Sequence, residues 1–256
     1  MSASSDLLTP PRESAATPPA TSVVGGLRAA LTDQVDALGG GHERIRRSPL
    51  IIAAIGQQSG VVAIDASSRH RLRGALVASL TPVLLAGMTL TDPYAQALSA
   101  WRTSGPSPQL RARLGTLDDD ERARLAADVA AHARTLADAL ATFEIPSRAR
   151  IDVRCAVPLV GTPVVLLDHL DLVWTGAQGV HLLDVTTSPL GPRAASMRGF
   201  HALTHALATG RVARTSTTLS TATGEHVAEP VDAELLARAT TAVCEQVATD
   251  LAGAGT

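Results

Sequence analysis

The chain contains no lysine: all 22 basic residues among its 256 are arginine. No side-chain amine is available as a base, a Schiff-base former or a point charge, so every cationic contact falls to a guanidinium or a histidine. Richness in Ala, Arg, Val and Gly is the mark of GC-rich coding; selection against a modifier attached to lysines is the alternative. Aromatic residues are scarce as well, at 2%. That leaves little for an interleaved basic and aromatic nucleic-acid surface. Two cysteines, Cys155 and Cys244, form no C-x-x-C and provide neither a disulfide framework nor a zinc or iron–sulfur site, which fits a reducing cytoplasm. Long apolar runs are missing too. The best stretch, "GALVASLTPVLLAGMTL", is short and interrupted by Pro82 and Gly87, so no membrane span is expected. A net charge of −2 gives no general attraction to a polyanion, although a local arginine patch stays open.

What is present divides into three parts. Residues 1–22 are rich in Pro, Ser, Ala and Thr without a basic start or apolar h-region, which suits a solvated, disordered tail rather than a secretory signal. Residues 23–146 read as mostly helical. "GGLRAALTDQVDALGGG" is an amphipathic helix, while "SPLIIAAIG" and "GVVAIDAS" are short apolar runs that could be strands or helical turns. A helical pattern from Ser68 to Trp101 breaks near Pro82 and at Asp92-Pro93, and "RTSGPSPQL" reads as a loop. In "LDDDERARLAADVAAHARTLADALATF", Asp118 can cap the helix, acids fill its first turn, and Leu125, Val129, Leu136 and Leu140 recur on one face. His132 stands alone there, as a solvated or internally satisfied residue.

Residues 147–256 change character. "ARIDVRCAVPLVG", "TPVVLLDHLDLVW" and "GVHLLDVTT" read as consecutive antiparallel strands. A helix, "AASMRGFHALTHALATG", ends at Gly210; "RVARTSTTLSTATG" alternates as a strand, and a C-terminal helix follows. This order predicts an α/β or α+β core with helices packed on a sheet.

Alternation places Asp171 with Leu167 and Val173, and Asp184 and Thr186 with Leu182. Carboxylates on an apolar face need a hydrogen bond, a partner charge or a metal. The two acids, thirteen residues apart across a tight turn, could converge on a hard divalent cation. Hydrogen bonds from Thr186, Thr187 or a histidine would satisfy them without one. Asp168 and His169 are expected near solvent at a strand end, and Trp174 as a packing residue.

These segments resemble the PD-(D/E)XK nuclease superfamily, in its RecB-like branch. There "LLDHLDLVW" stands for the G-x-x-D strand with Asp171 at its acid, "HLLDVTTS" for D-x-K with Asp184 at its acid, and "HALTHALATG" for the Q-x-x-x-Y helix. "GALVA" stands for G-x-x-x-H. The resemblance implies a nuclease-like α/β core: a mixed central sheet flanked by helices, after a mostly helical N-terminal part. It also implies what has been lost. The motif glycine is Asp168, the lysine is Thr186, the glutamine and tyrosine are His201 and His205, and the first histidine is Ala78.

In the active family the acids hold the metal and the lysine orients water and offsets charge. Threonine carries no charge. Arg193 and Arg198 are candidates for a migrated cation, and His201 and His205, four apart, for ligands of a transition metal together with Asp171 or Asp184. The expectation is a catalytically inactive relative that binds nucleic acid or protein in DNA repair, recombination or defence, with no cofactor. An active nuclease with a rearranged Mg2+ or Mn2+ site, and a structural or regulatory protein-interaction domain, are the alternatives. No membrane partner is expected.

Overall fold

The computed structural model describes residues 20–39, 50–52, 64–105, 107–162 and 164–253. In chain order they form α1 (Ala20–Gly39), β1 (Leu50–Ile52), α2 (Ile64–Ala78), α3 (Thr81–Leu85), α4 (Pro93–Thr103), α5 (Pro108–Gly115) and α6 (Asp119–Leu140). They continue as β2 (Arg150–Pro158), β3 (Val164–Gly176), β4 (Gly179–Thr186), α7 (Pro192–Thr209), β5 (Thr215–Ser220), β6 (His226–Pro230) and α8 (Ala233–Gly253). The expectation for the tail falls almost wholly outside the described residues, as do parts of "SPLIIAAIG" and "GVVAIDAS". Leu50–Ile52 of the former is a strand, and the latter enters α2 at Ile64.

Local chemistry explains the helix ends. Asp118 closes a capping box on α6: its Oδ1 accepts from the Glu121 amide at 2.7 Å, while Glu121 Oε2 accepts from the Asp118 amide. Asp92 caps α4, where Pro93 supplies a preset first-turn φ. The same device overturns one expectation. "RTSGPSPQL" is not all loop, because Ser107 caps and Pro108 opens α5. A second strand, β6, was missed after β5; its residues are mostly exposed, so it shows no buried alternation to read.

The sheet is mixed and its centre is β3. β2 runs antiparallel along one edge, from Arg150 opposite Val173 to Pro158 opposite Val165. The other edge is shared. β1 lies parallel beside Val164–Leu166, and β4 lies antiparallel beside Leu172–Gly176. β4 then diverges from β3 and pairs in parallel with β5, which pairs antiparallel with β6. The divergence leaves a fork next to Asp171 on β3 and Asp184 on β4.

Helices cover both faces. α1, α7 and α8 pack around Phe200, Leu203, Leu236 and Val243 against Val157, Val164 and Leu166. On the opposite face α2, α4 and α6 bury Leu76, Trp101, Val129 and Leu136 against Leu172, Trp174, Leu183 and Leu219. Each large apolar side chain so buried contributes about 1.5–3 kcal/mol. Trp174 is a packing residue, as expected; it stacks on His181 with ring centroids 5.1 Å apart. His132 is satisfied internally, its Nδ1 lying 2.9 Å from the Thr221 hydroxyl. No described helix is long and apolar enough to cross a membrane.

Strict alternation fails beside the fork. Leu170 and Val173 share one cluster, whereas Leu172 and Trp174 lie in another. On the partner strand Ile151 and Val153 are likewise split between the two. Between them Asp152 has φ 55°, the one positive φ at a non-glycine among the described residues. Its left-handed backbone interrupts the regular strand where the two clusters part. The grouping of Asp171 with both Leu167 and Val173, expected from unbroken alternation, therefore does not hold, because Val173 lies with Leu170. Relief of this backbone strain is expected to make Asp152→Gly at least as stable as the parent, whereas Asp152→Val should cost about 1–3 kcal/mol; urea denaturation of the two variants measures the difference.

Candidate functional site

The fork gathers three carboxylates against α7. Asp171 sits on β3 where β4 turns away, and its Oδ2 accepts the Val185 backbone N–H at 2.7 Å. A peptide donor left without a strand partner is costly when buried, so this carboxylate seals the end of the hairpin. Burial, and then the neighbouring Asp184 carboxylate, push Asp171 up to about 7, while the Val185 bond holds it down.

Asp168 is not near solvent, contrary to expectation. It is buried, and its carboxylate accepts from His201 Nδ1 at 2.8 Å, from the Thr204 hydroxyl and from the His169 backbone N–H at 2.8 Å. Leu166 and Asp168, two apart on β3, both point towards α7. Burial alone would raise its pKa. The hydrogen bond and charge of His201, together with Thr204 and the His169 amide, bring it below the usual carboxylate range.

His201 is 3% exposed and links the cluster. Its Nε2 faces Asp184 Oδ1 at 3.8 Å and has no hydrogen-bond partner. Burial opposes the charged ring, but contact with Asp168 and proximity to Asp184 prevail and raise its pKa to about 10. The ring is therefore an imidazolium at neutral pH, and its charge lies between two carboxylates.

The other expected residues do not join them. Thr186 Oγ1 accepts from the Ser188 amide at 3.2 Å, and its carbonyl accepts from Thr221, so it closes the loop after β4. Arg198 is buried, and its Nε donates to Glu229 Oε2 at 3.1 Å, tying α7 to β6. Arg193 is exposed on the first turn of α7. His205, one turn after His201, is buried with Nδ1 lacking a partner, and desolvation lowers its pKa. The i, i+4 pair shares a helix but only His201 meets the acids.

The arrangement does not fit a divalent ion. Asp171 Oδ2 is occupied by a peptide N–H, Asp168 by three donors, and Asp184 is faced by a cationic ring. Among the described residues no group of three or more His, Cys, Asp or Glu is disposed to hold a metal. Beside the fork lies a cleft of about 470 Å3. Ala78, Pro82 and Trp101 form part of its helical wall, and Asp152, His169 and Asp171 part of its sheet wall. His169 Nε2 is hydrogen-bonded to Asp152, at the mouth of the cleft.

Thr204 joins the acid cluster without having been singled out in the sequence, and Asp168 joins it in place of the expected position near solvent. Thr204 stands at i+3 from His201, so a helix places both against one strand; the signal was present once α7 was assigned. No family model matches this chain, and no curated protein matches it.

His201 carries a raised pKa, so its contribution to stability is complete below its unfolded value near 6.5 and is lost as pH rises through about 10. Asp171 acts with the same sign over a lower window: its raised pKa penalises the folded state as pH rises from its ordinary value near 3.8 through about 7. Asp171→Asn keeps an acceptor for Val185 and removes the charge. It is expected to flatten the stability loss between those two pH values and to stabilise the fold at pH above 7 by on the order of 2 kcal/mol. Guanidinium denaturation across that range measures it. His201→Leu, which strands Asp168 without its cation, should cost about 3–5 kcal/mol in the same assay.

Proposed function

We propose that the chain is a PD-(D/E)XK-like protein that has exchanged cleavage for binding. The observation that carries this reading is the internal neutralisation of the acids: His201 is set between Asp168 and Asp184, and Asp171 is bonded to the hairpin it terminates. Four features support the superfamily resemblance. Asp171 and Asp184 lie on adjacent antiparallel strands, β4 crosses over through α7 to a parallel β5, α7 supplies the residue that meets the acids, and Ala78 lines the same cleft as Asp171.

Loss of reaction follows from charge. A phosphodiester carries its own negative charge into the site, and catalysis requires cations aimed at the oxygen where more charge develops. Here the cation is buried and already faces two carboxylates, Thr186 is neutral, and Arg198 is bound to Glu229. Arg193 is exposed at the start of α7 and is not placed in the acid cluster.

A protein partner is favoured over nucleic acid. Arg154, which lines the cleft, is engaged by Asp152, and on the helical side Arg69 and Arg113 are engaged by Glu121 and Arg73 by Asp128. Such pairs reduce the counterion release that drives phosphate binding. The apolar wall around Ala78, Pro82 and Trp101 suits a side chain instead. On this reading the protein is a binding component of a repair, recombination or defence assembly.

End-labelled linear single-stranded and double-stranded DNA, incubated with Mg2+ or Mn2+, tests the reading. Wild type and Asp171→Ala/Asp184→Ala are both expected to leave the DNA intact. Cleavage by wild type that vanishes in the double variant would establish a rearranged metal site and overturn the proposal.

A further inference from the structure

We propose that the cleft beside the fork receives a primary ammonium group, and that its occupant is a lysine side chain of a protein partner. The ammonium meets Asp171, and the methylene stem lies along Ala78, Pro82 and Trp101. This occupant deepens the protein-binding reading and rests on it. The chain contains no lysine, so no side chain of its own can supply the group.

The charged groups that line the cleft differ in what they have left to offer. Both oxygens of Asp152 are engaged, Oδ1 by His169 Nε2 and Oδ2 by Arg154 at 3.3 Å, so these three groups satisfy one another at the mouth. Asp171 is different. It is 8% exposed, its Oδ2 accepts the Val185 N–H, and its Oδ1 accepts from no described residue. Beside Asp184 and away from water, such an oxygen is best satisfied by a donor that carries positive charge.

The rest of the lining selects the cation. Ser79 and Ser104 line the cleft with their protons committed to helix carbonyls: Ser79 Oγ lies 2.7 Å from Leu76 O and 3.0 Å from Ala97 O, and Ser104 Oγ lies 2.8 Å from Trp101 O. Acceptor capacity is what remains on each hydroxyl, which suits a ligand that has donors alone. An ammonium is such a group, and a phosphate is the reverse. A guanidinium fork pairs best with both oxygens of a carboxylate, and at Asp171 one is already taken by Val185. An ammonium needs only the other. Ala78, Pro82 and Trp101 then give an apolar surface along which a lysine stem packs.

Binding is measured on the full-length protein by nuclear magnetic resonance, following the Trp101 indole N–H, at about pH 8, where Asp171, raised to about 7, is charged. The ligands are capped glycine-alanine peptides with a central lysine, arginine or norleucine, and free butylammonium. The lysine peptide is expected to bind at least ~tenfold more tightly than the other two peptides. Asp171→Asn, which keeps an acceptor for Val185, should abolish that preference. Ala78→Leu, which fills the wall along the stem, should weaken the lysine peptide by at least ~tenfold and decides the matter where Asp171→Asn does not fold. Equal binding of the three peptides, no binding of the lysine peptide, or a lysine preference that persists in folded Asp171→Asn overturns the proposal. So does binding of butylammonium that the lysine peptide does not share, which marks a site for a free amine. Uncleaved DNA together with any of these results sinks the lysine site alone and leaves the binding function standing. DNA cleavage by wild type sinks the binding function, whatever the peptides do.

Discussion

A sheet that forks must satisfy the groups that the divergence exposes. β4 leaves β3 to join β5, and at that point the Val185 amide turns to the Asp171 carboxylate instead of a strand carbonyl. Burying that carboxylate beside Asp184, with Asp168 on the same half of β3, concentrates negative charge in a region of low dielectric. The fold holds it by bringing a cation from α7. His201 is therefore the residue through which the helix and the diverging strands are electrically joined.

The consequence for function lies in where that cation sits. In a metal-dependent site the positive charge is mobile, hydrated and available to a substrate oxygen. An imidazolium buried between carboxylates is none of these. The same interaction that stabilises the fork keeps this positive charge away from solvent. Arg198, one of the two candidates for a migrated cation, is held to Glu229 and ties α7 to β6 instead. Charge satisfaction inside the protein and charge presentation to a ligand are alternatives here, and the fold takes the first.

The cleft reflects the same choice. Its helical wall is mainly small and apolar, while its sheet wall carries the Asp152–His169 contact at the mouth and Asp171 within. The left-handed backbone at Asp152 falls between Ile151 and Val153, which belong to different apolar clusters. Arg154, on the sheet side of the cleft, is paired with Asp152.

Much of this was legible from local pattern. The helix start at Asp118, the antiparallel run of three strands, the α7 stop at Gly210 and the placement of Asp171 and Asp184 on adjacent strands follow from capping chemistry, periodicity and turn spacing. These are short-range preferences, so the sequence by itself determined them. It did not disclose α5, whose proline resembled a loop signal, or β6, an exposed strand without alternation. Nor did it disclose the role of Asp168. Alternation along one strand cannot say which face a helix thirty residues later will cover, and the twist at Asp152 breaks the alternation itself. Only the tertiary structure decided that His201 would meet Asp168 and Asp184 while His205 and Arg198 would not, because that depends on the rotation of α7 over the forked sheet.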